Sequence, residues 1–240
     1  MINFQYSWFV FKVVIITFFF ASIGVIGSIF ERKGKFMSWI AINWSKAILR
    51  TGKIEYNIFG LDNIDLKKIY FFIPNHESAL DIPLVFAAFP MHVVSIAKIE
   101  LSRIPIFGWS MLAGGHFFVD RTNHNKAFES LVKAKESMLH NPRSVFLFPE
   151  GTRSKNGKVG KFKKGGISMA IDMELPIVPI GIIGTKKCQD QMRKGKKYKS
   201  IDLIIGSPVL TKNQKKEGLI EFVDSIRNQV INLKGENANN

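Results

Sequence analysis

The first thirty residues hold one long apolar stretch, "VVIITFFFASIGVIGSIF" from Val13 to Phe30, and the apolar character reaches back to Tyr6 with only Lys12 interrupting. This is about the length needed to cross or deeply enter a bilayer. A soluble domain seldom supplies so long a helix without a polar face, which weighs against a buried core helix. A cleaved signal peptide would open with basic residues, whereas here the charges follow the stretch, in "ERKGK" at 31–35. The next segment, "FMSWIAINWSKAILR" from Phe36 to Arg50, has a different pattern. Asn43, Lys46 and Arg50 recur on one stripe at helical spacing, while Trp39, Ile40, Trp44, Ala47 and Ile48 cover much of the rest. Such a helix either lies among lipid headgroups, with its tryptophans at the interface, or packs on the folded domain. Residues 1–50 thus read as a membrane-attachment module and residues 51–240 as the folded domain. The positive-inside tendency places that domain on the cytoplasmic side of the inner membrane.

From Gly52 onward short apolar, β-branched runs alternate with helical periods. The runs at 54–59, 69–73, 92–97, 116–119, 144–148, 176–183 and 201–205 predict strands, and the patterns at 82–89, 101–113, 124–140, 165–173 and 215–233 predict helices. Strands that alternate with helices and carry apolar residues on both faces imply an α/β domain with a mostly covered mixed sheet flanked by helices. In such sheets binding sites form beyond the carboxyl ends of strands.

Composition narrows the partner class. Apolar residues make up 46% of the chain and charged ones 22%, as in a folded protein, and the formal net charge is +15. A surplus of that size calls for an anionic partner: nucleic acid, an anionic membrane surface or a phosphorylated substrate. A basic nucleic-acid-binding protein accounts for the charge, but not for the lipid-length apolar segment or for acidic groups at strand ends, so no nucleic-acid partner is expected. The single cysteine, Cys188, has no partner for an internal disulfide, and the scattered histidines suggest no metal site.

The chemistry-bearing residues cluster at three strand ends. "PNHESALD", 74–81, follows an apolar run and sets His76 five positions before Asp81. Pro83 is tolerated only in a first helical turn, so a helix is expected to start at or just before Asp81, with His76 in the preceding loop. A carboxylate meeting the imidazole across that junction would hold the tautomer that leaves the outer ring nitrogen free as a base. "SVFLFPEGTRS", 144–154, finishes a second strand with proline and supplies Glu150, Gly151, Thr152, Arg153 and Ser154, a set able to wrap a phosphate with Arg153 as a two-pronged donor. Lys161, Lys163 and Lys164 follow, ahead of two glycines that open a helix. "GGHFFVDRT", 114–122, delivers Asp120 and Arg121 at a third strand end. No serine sits in a GxSxG elbow, and Ser78, between His76 and Asp81, is the one alternative nucleophile.

In this order, "NHESALD", "GGHFFVDR", "FPEGTRS" and "IVPIGIIG" resemble the motif blocks of the glycerolipid acyltransferases, most closely the bacterial enzymes that acylate 1-acyl-sn-glycerol-3-phosphate. The likeness covers about residues 50–210 and includes "AKIELSRIPIFGW" between the first two blocks. It implies His76 as general base and Asp81 as its orienting partner. It also implies that Arg121, Glu150, Gly151, Thr152 and Arg153 hold the acceptor's glycerol phosphate, and that Pro179 shapes the acyl site. The implied reaction moves an acyl group from acyl-coenzyme A or acyl carrier protein to the sn-2 hydroxyl of lysophosphatidic acid, giving phosphatidic acid for phospholipid synthesis at a membrane. No cofactor is implied, and another lysophospholipid acceptor would use the same chemistry.

Overall fold

Along the central strands successive side chains enter opposite cores, which sets the layering of the domain. Phe71 and Ile73 point into one apolar cluster and Phe72 into another, and all three are fully buried. In this computed structural model the described residues are 3–30, 34–120, 123–212, 214 and 216–236. They form α1 (Phe4–Gly27), α2 (Lys35–Thr51), β1 (Tyr56–Phe59), β2 (Phe71–Pro74), α3 (Asp81–Ala88), β3 (Val93–Lys98), α4 (Phe107–Ala113), β4 (Phe117–Val119), α5 (His124–His140), β5 (Ser144–Phe146), α6 (Lys164–Asp172), β6 (Ile177–Ile183), α7 (Thr185–Arg193), β7 (Ile201–Ile205) and α8 (Leu219–Lys234). The sheet is seven-stranded in the order β1-β7-β6-β2-β5-β3-β4, with β6 and β7 antiparallel and every other neighbouring pair parallel. The carboxyl ends of β2, β3, β4, β5 and β6 therefore share one edge. The expected mixed, covered sheet is present, with α2 and α3 on the face that holds Phe72 and α5, α6 and α8 on the other.

One predicted helix is divided, and one observed helix lies where none is predicted. The pattern over 101–113 is split into a short 3-10 turn, Ile99–Arg103, and α4. Pro105 disfavours helical backbone at Ile104, and Ile106 is forced to φ 64°, so no continuous helix can pass. Helix α7 was not expected, because "TKKCQDQMR" is polar and buries only Thr185 and Cys188 among its residues.

The amino-terminal helices are integral to the packing. Leu49, from α2, is fully buried in the same cluster as Phe72 and Leu84, and Trp44 packs edge-on against Phe86 of α3. Burial on this scale contributes about 2 kcal/mol for a leucine side chain. Helix α2 thus takes the second of its two expected roles along its inner face, while Trp39 remains 53% exposed. Helix α1 is fastened at both ends and in the middle. Asn3 N–H donates to the Arg193 carbonyl (3.1 Å), Trp44 Nε1 donates to Thr17 Oγ1 (3.0 Å), and the Gly24 backbone lies so close to Ser110 that a Cβ there would sit 2.6 Å from its Oγ. Its outer side presents Phe4, Trp8, Phe11, Ile15, Phe19 and Ile26 to the surroundings, one apolar stripe along the whole helix.

Candidate active site

The loop between β2 and α3 is shaped by its polar side chains. Asn75, almost fully buried, reproduces strand pairing: its Oδ1 accepts from Ile182 N–H (2.7 Å) and its Nδ2 donates to the Ile182 carbonyl (3.0 Å). The chain then turns back so that one oxygen of Asp81, at the first position of α3, meets three donors at once. Asp81 Oδ2 lies 2.7 Å from His76 Nδ1 and accepts from Glu77 N–H (2.6 Å) and Ser78 N–H (2.8 Å). Its other oxygen accepts from the Thr185 hydroxyl. Asp81 and Thr185 are both fully buried. Because a carboxylate only accepts, His76 carries its proton on Nδ1 and keeps the lone pair of Nε2 for a substrate. The imidazole is stacked on Phe148, with centroids 3.9 Å apart and planes 16° apart, so the ring plane is set by packing as well as by Asp81.

The loop after β5 is tied to the same histidine through the main chain. Glu150 Oε1 accepts from His76 N–H (2.8 Å), Glu150 Oε2 accepts from Gly160 N–H (3.0 Å), and Ser154 N–H donates to the His76 carbonyl (2.8 Å). Glu150 is buried, burial pushes its carboxyl above the usual range, and both its oxygens face backbone amides. Its side chain braces the two loops against each other, where the family resemblance placed it with the residues that hold the acceptor. Gly151 turns with φ 73°, and a side chain there would meet the Lys163 Cε at 3.0 Å. Thr152, Arg153 and Lys163 are exposed around this turn. Arg121 lies outside the described residues.

A cavity of about 690 Å³ opens beside this turn, over the ends of β3, β4 and β5. Ile96, Val119, Leu131, Phe148 and Phe162 line it, and Lys163 and Lys164 stand at its side. Helix α6 can approach because Gly166 has no side chain: a Cβ there would come within 1.9 Å of Leu147 Cδ2. The site can therefore take a proton at His76 Nε2 and hold an anionic, partly apolar molecule next to it. Ser78 is fully buried, with its Oγ accepting from Leu80 N–H, and so is not available as a nucleophile. Cys188 is buried too, its thiol pushed up to about 11 by burial. Among the described residues no cluster of metal-ligating side chains occurs.

Four participants escaped sequence reading. Asn75, Glu77, Phe148 and Thr185 each meet the His76–Asp81 pair or its loop only after folding. Thr185 had a visible signal, since "GIIGT" is a further strand end that closes with glycine, here at φ 83°. Pro179 lies within β6, opposite Ile73 of β2; its carbonyl accepts from Gly206 N–H (2.9 Å), and with no N–H of its own it leaves out the return bond that an antiparallel pair exchanges.

The acyltransferase family model matches residues 55–183, more than half of the chain and all of the loops just described. The chain is 32% identical over 185 residues to a 1-acyl-sn-glycerol-3-phosphate acyltransferase of Saccharomyces cerevisiae, covering 76% of this chain and 61% of that one. It is 32% identical over 193 residues to the enzyme of the same name from Cocos nucifera, covering 80% and 58%. The chain thus spans about three fifths of the length of these relatives. The crystal structure of the lysophosphatidic acid acyltransferase PlsC from Thermotoga maritima superposes with a TM-score of 0.77 at 26% identity, covering 96% of this chain and 95% of that one. With the family model matching more than half of its length, the chain belongs to the acyltransferase family.

Proposed function

We propose that the protein transfers a fatty acyl group from an acyl thioester to the sn-2 hydroxyl of 1-acyl-sn-glycerol-3-phosphate, forming phosphatidic acid. The observation that carries this reading is the buried His76–Asp81 pair beside an apolar cavity flanked by Lys163 and Lys164. His76 Nε2 takes the proton of the acceptor hydroxyl as its oxygen attacks the thioester carbonyl. The new C–O bond forms, the C–S bond breaks, and the imidazolium returns its proton to the departing thiolate. Asp81 stabilises the imidazolium while it exists. The acceptor's phosphate lies against Arg153, Lys163 and the turn at Gly151, the family resemblance assigns Arg121 the same role, and the loops stay in place through Glu150. The donor is acyl-coenzyme A or acyl carrier protein; both are anionic and suit a chain of net charge +15.

The packing of α1 supports a particular membrane geometry. A helix fastened to the domain at Asn3, Thr17 and Gly24 is laid along the protein, so its apolar stripe enters one leaflet side-on and the site faces the same lipid surface. In this reading the enzyme sits on the cytoplasmic face of the inner membrane.

Incubation of purified enzyme with lysophosphatidic acid and each donor in turn, with mass analysis of the products, tests the reaction. Arg153→Lys tests the acceptor site, because lysine keeps the charge and loses the planar fork. The apparent KM for lysophosphatidic acid is expected to rise about tenfold with the donor KM unchanged, the cost of one charged hydrogen bond. A defect confined to the donor KM would move this turn to the donor site.

A further inference from the structure

Helix α8 lies outside the motif blocks, yet its polar residues reach the catalytic loops from behind. Lys234, in its last turn, places Nζ 2.5 Å from Glu77 Oε1, and both side chains are less than a tenth exposed. The same ammonium donates to the Gly157 carbonyl and pairs with Glu236 Oε1. Glu236 Oε2 accepts from Val159 N–H (3.1 Å), and Arg227 donates to the carbonyls of Gly160 (2.7 Å) and Val159 (2.8 Å). Gly160 N–H is in turn the second donor to Glu150, whose other oxygen holds His76 N–H. One helix is thereby fastened both to the residue that follows His76 and to the loop that leads to Lys161 and Lys163.

Glu77 is the pivot of this arrangement. Its own N–H donates to Asp81 Oδ2, and its carboxylate also lies 3.4 Å from Thr185 Oγ1 and from Lys186 N–H, at the start of α7. The peptide that holds Asp81 therefore belongs to a residue whose side chain is anchored to two helices. Burial pushes the Glu77 carboxyl upward and the Lys234 ammonium holds it back, while bonds to Glu236 and Glu77 outweigh burial and raise Lys234 above its usual range. A buried carboxylate has no solvent to replace that cation, so losing Lys234 would leave the Glu77 charge uncompensated, with only the weaker donors Asn75 Nδ2, Thr185 Oγ1 and Lys186 N–H beside it.

We propose that Lys234 is a positioning residue for acyl transfer: through Glu77 and Gly157 it sets the loop of His76 and Asp81 in register with the loop that receives the acceptor. This rests on His76 as general base. Since Lys234 touches neither substrate, its loss should misalign the hydroxyl and the base, and a displacement near 1 Å costs up to about 100-fold in rate.

The test uses the full-length enzyme with three variants. Lys234→Met leaves Glu77 unpaired and is expected to lower both the thermal transition and kcat. Glu77→Gln with Lys234→Met removes both charges, which for a buried pair often restores stability. In that double variant the thermal transition should return toward wild type while kcat stays at least about tenfold low and the donor KM is unchanged. A stable double variant with wild-type kcat would overturn the proposal and leave the pair with a folding role alone. His76→Ala separates the two readings: if it retains turnover the base assignment fails, whereas an inactive His76→Ala beside a fully active double variant refutes only the role of Lys234.

Discussion

Replacing Asp81 with asparagine separates the charge of this residue from its geometry. Asp81 Oδ2 accepts from two backbone amides and from His76, so an asparagine must put its carbonyl oxygen at that position and turn its amide toward Thr185. The reverse orientation would set the amide hydrogens against Glu77 N–H and Ser78 N–H. Thr185 Oγ1 can receive the new donor and direct its own hydrogen to Glu77 Oε2, 3.4 Å away. His76 therefore keeps its Nδ1 proton and its position in Asp81→Asn, and only the negative charge beside the imidazolium is lost. A hydrogen bond to a charged group is worth about 1.5–3 kcal/mol against about 0.5–1.5 for a neutral one, so the retained bond weakens by about 1–1.5 kcal/mol and kcat should fall by roughly 5- to 15-fold. Asp81→Ala, which also strands two buried amides, should lose as much as His76→Ala, about 10²–10⁴. Steady-state kcat for all three variants, with circular dichroism to confirm folding, decides the matter. Asp81→Asn as inactive as His76→Ala would refute the orientation argument, because the amide would then have reversed and forced the wrong tautomer. Wild-type kcat would refute the electrostatic one.

Two further outcomes follow from other parts of the molecule. His116, whose Nδ1 accepts from Ser95 N–H, has its pKa lowered to about 3 by burial and by the nearby His92 and Arg143, against 6.5 in an unfolded chain. The folded state then binds fewer protons than the unfolded one between those values, so stability is complete above 6.5 and falls on acidification. Denaturant titrations should show a loss of about 1–2 kcal/mol between pH 7 and pH 5, mostly absent in His116→Asn; an equal loss in the variant would assign it elsewhere. Replacing Trp8, Ile15 and Phe19 together with serine removes apolar area from the outer stripe of α1 without touching its inner contacts, so co-sedimentation with anionic vesicles should fall by at least about tenfold while the thermal transition holds. Unchanged sedimentation would move the lipid contact to another surface.

Deleting residues 1–50, which the apolar pattern alone would recommend for a soluble domain, is instead expected to unfold it. The pattern separates that module from the rest, but Leu49 and Trp44 complete the packing over Phe72 and Phe86. Period and composition determined a good deal unaided: the strand runs, the start of α3 dictated by Pro83, the long apolar amino-terminal helix, and the histidine and aspartate at a strand end. These are local properties, in which each residue's preference depends on near neighbours in the chain. The break at Pro105 is also local, but the apolar spacing that predicts a helix over 101–113 continues across it. What the chain order could not express is the company His76 keeps. Thr185 lies 104 residues from Asp81, and Ile182 lies 107 residues from Asn75. These partners meet because β6 runs beside β2 in the same direction and ends at the same edge. Lys234 reaches Glu77 because α8 crosses behind that edge, packed on β6. A lysine in a polar tail has no sequence mark to tell it from a solvated one. Only tertiary packing, by excluding water from Glu77 and leaving Lys234 as its cation, turned that residue into part of the site.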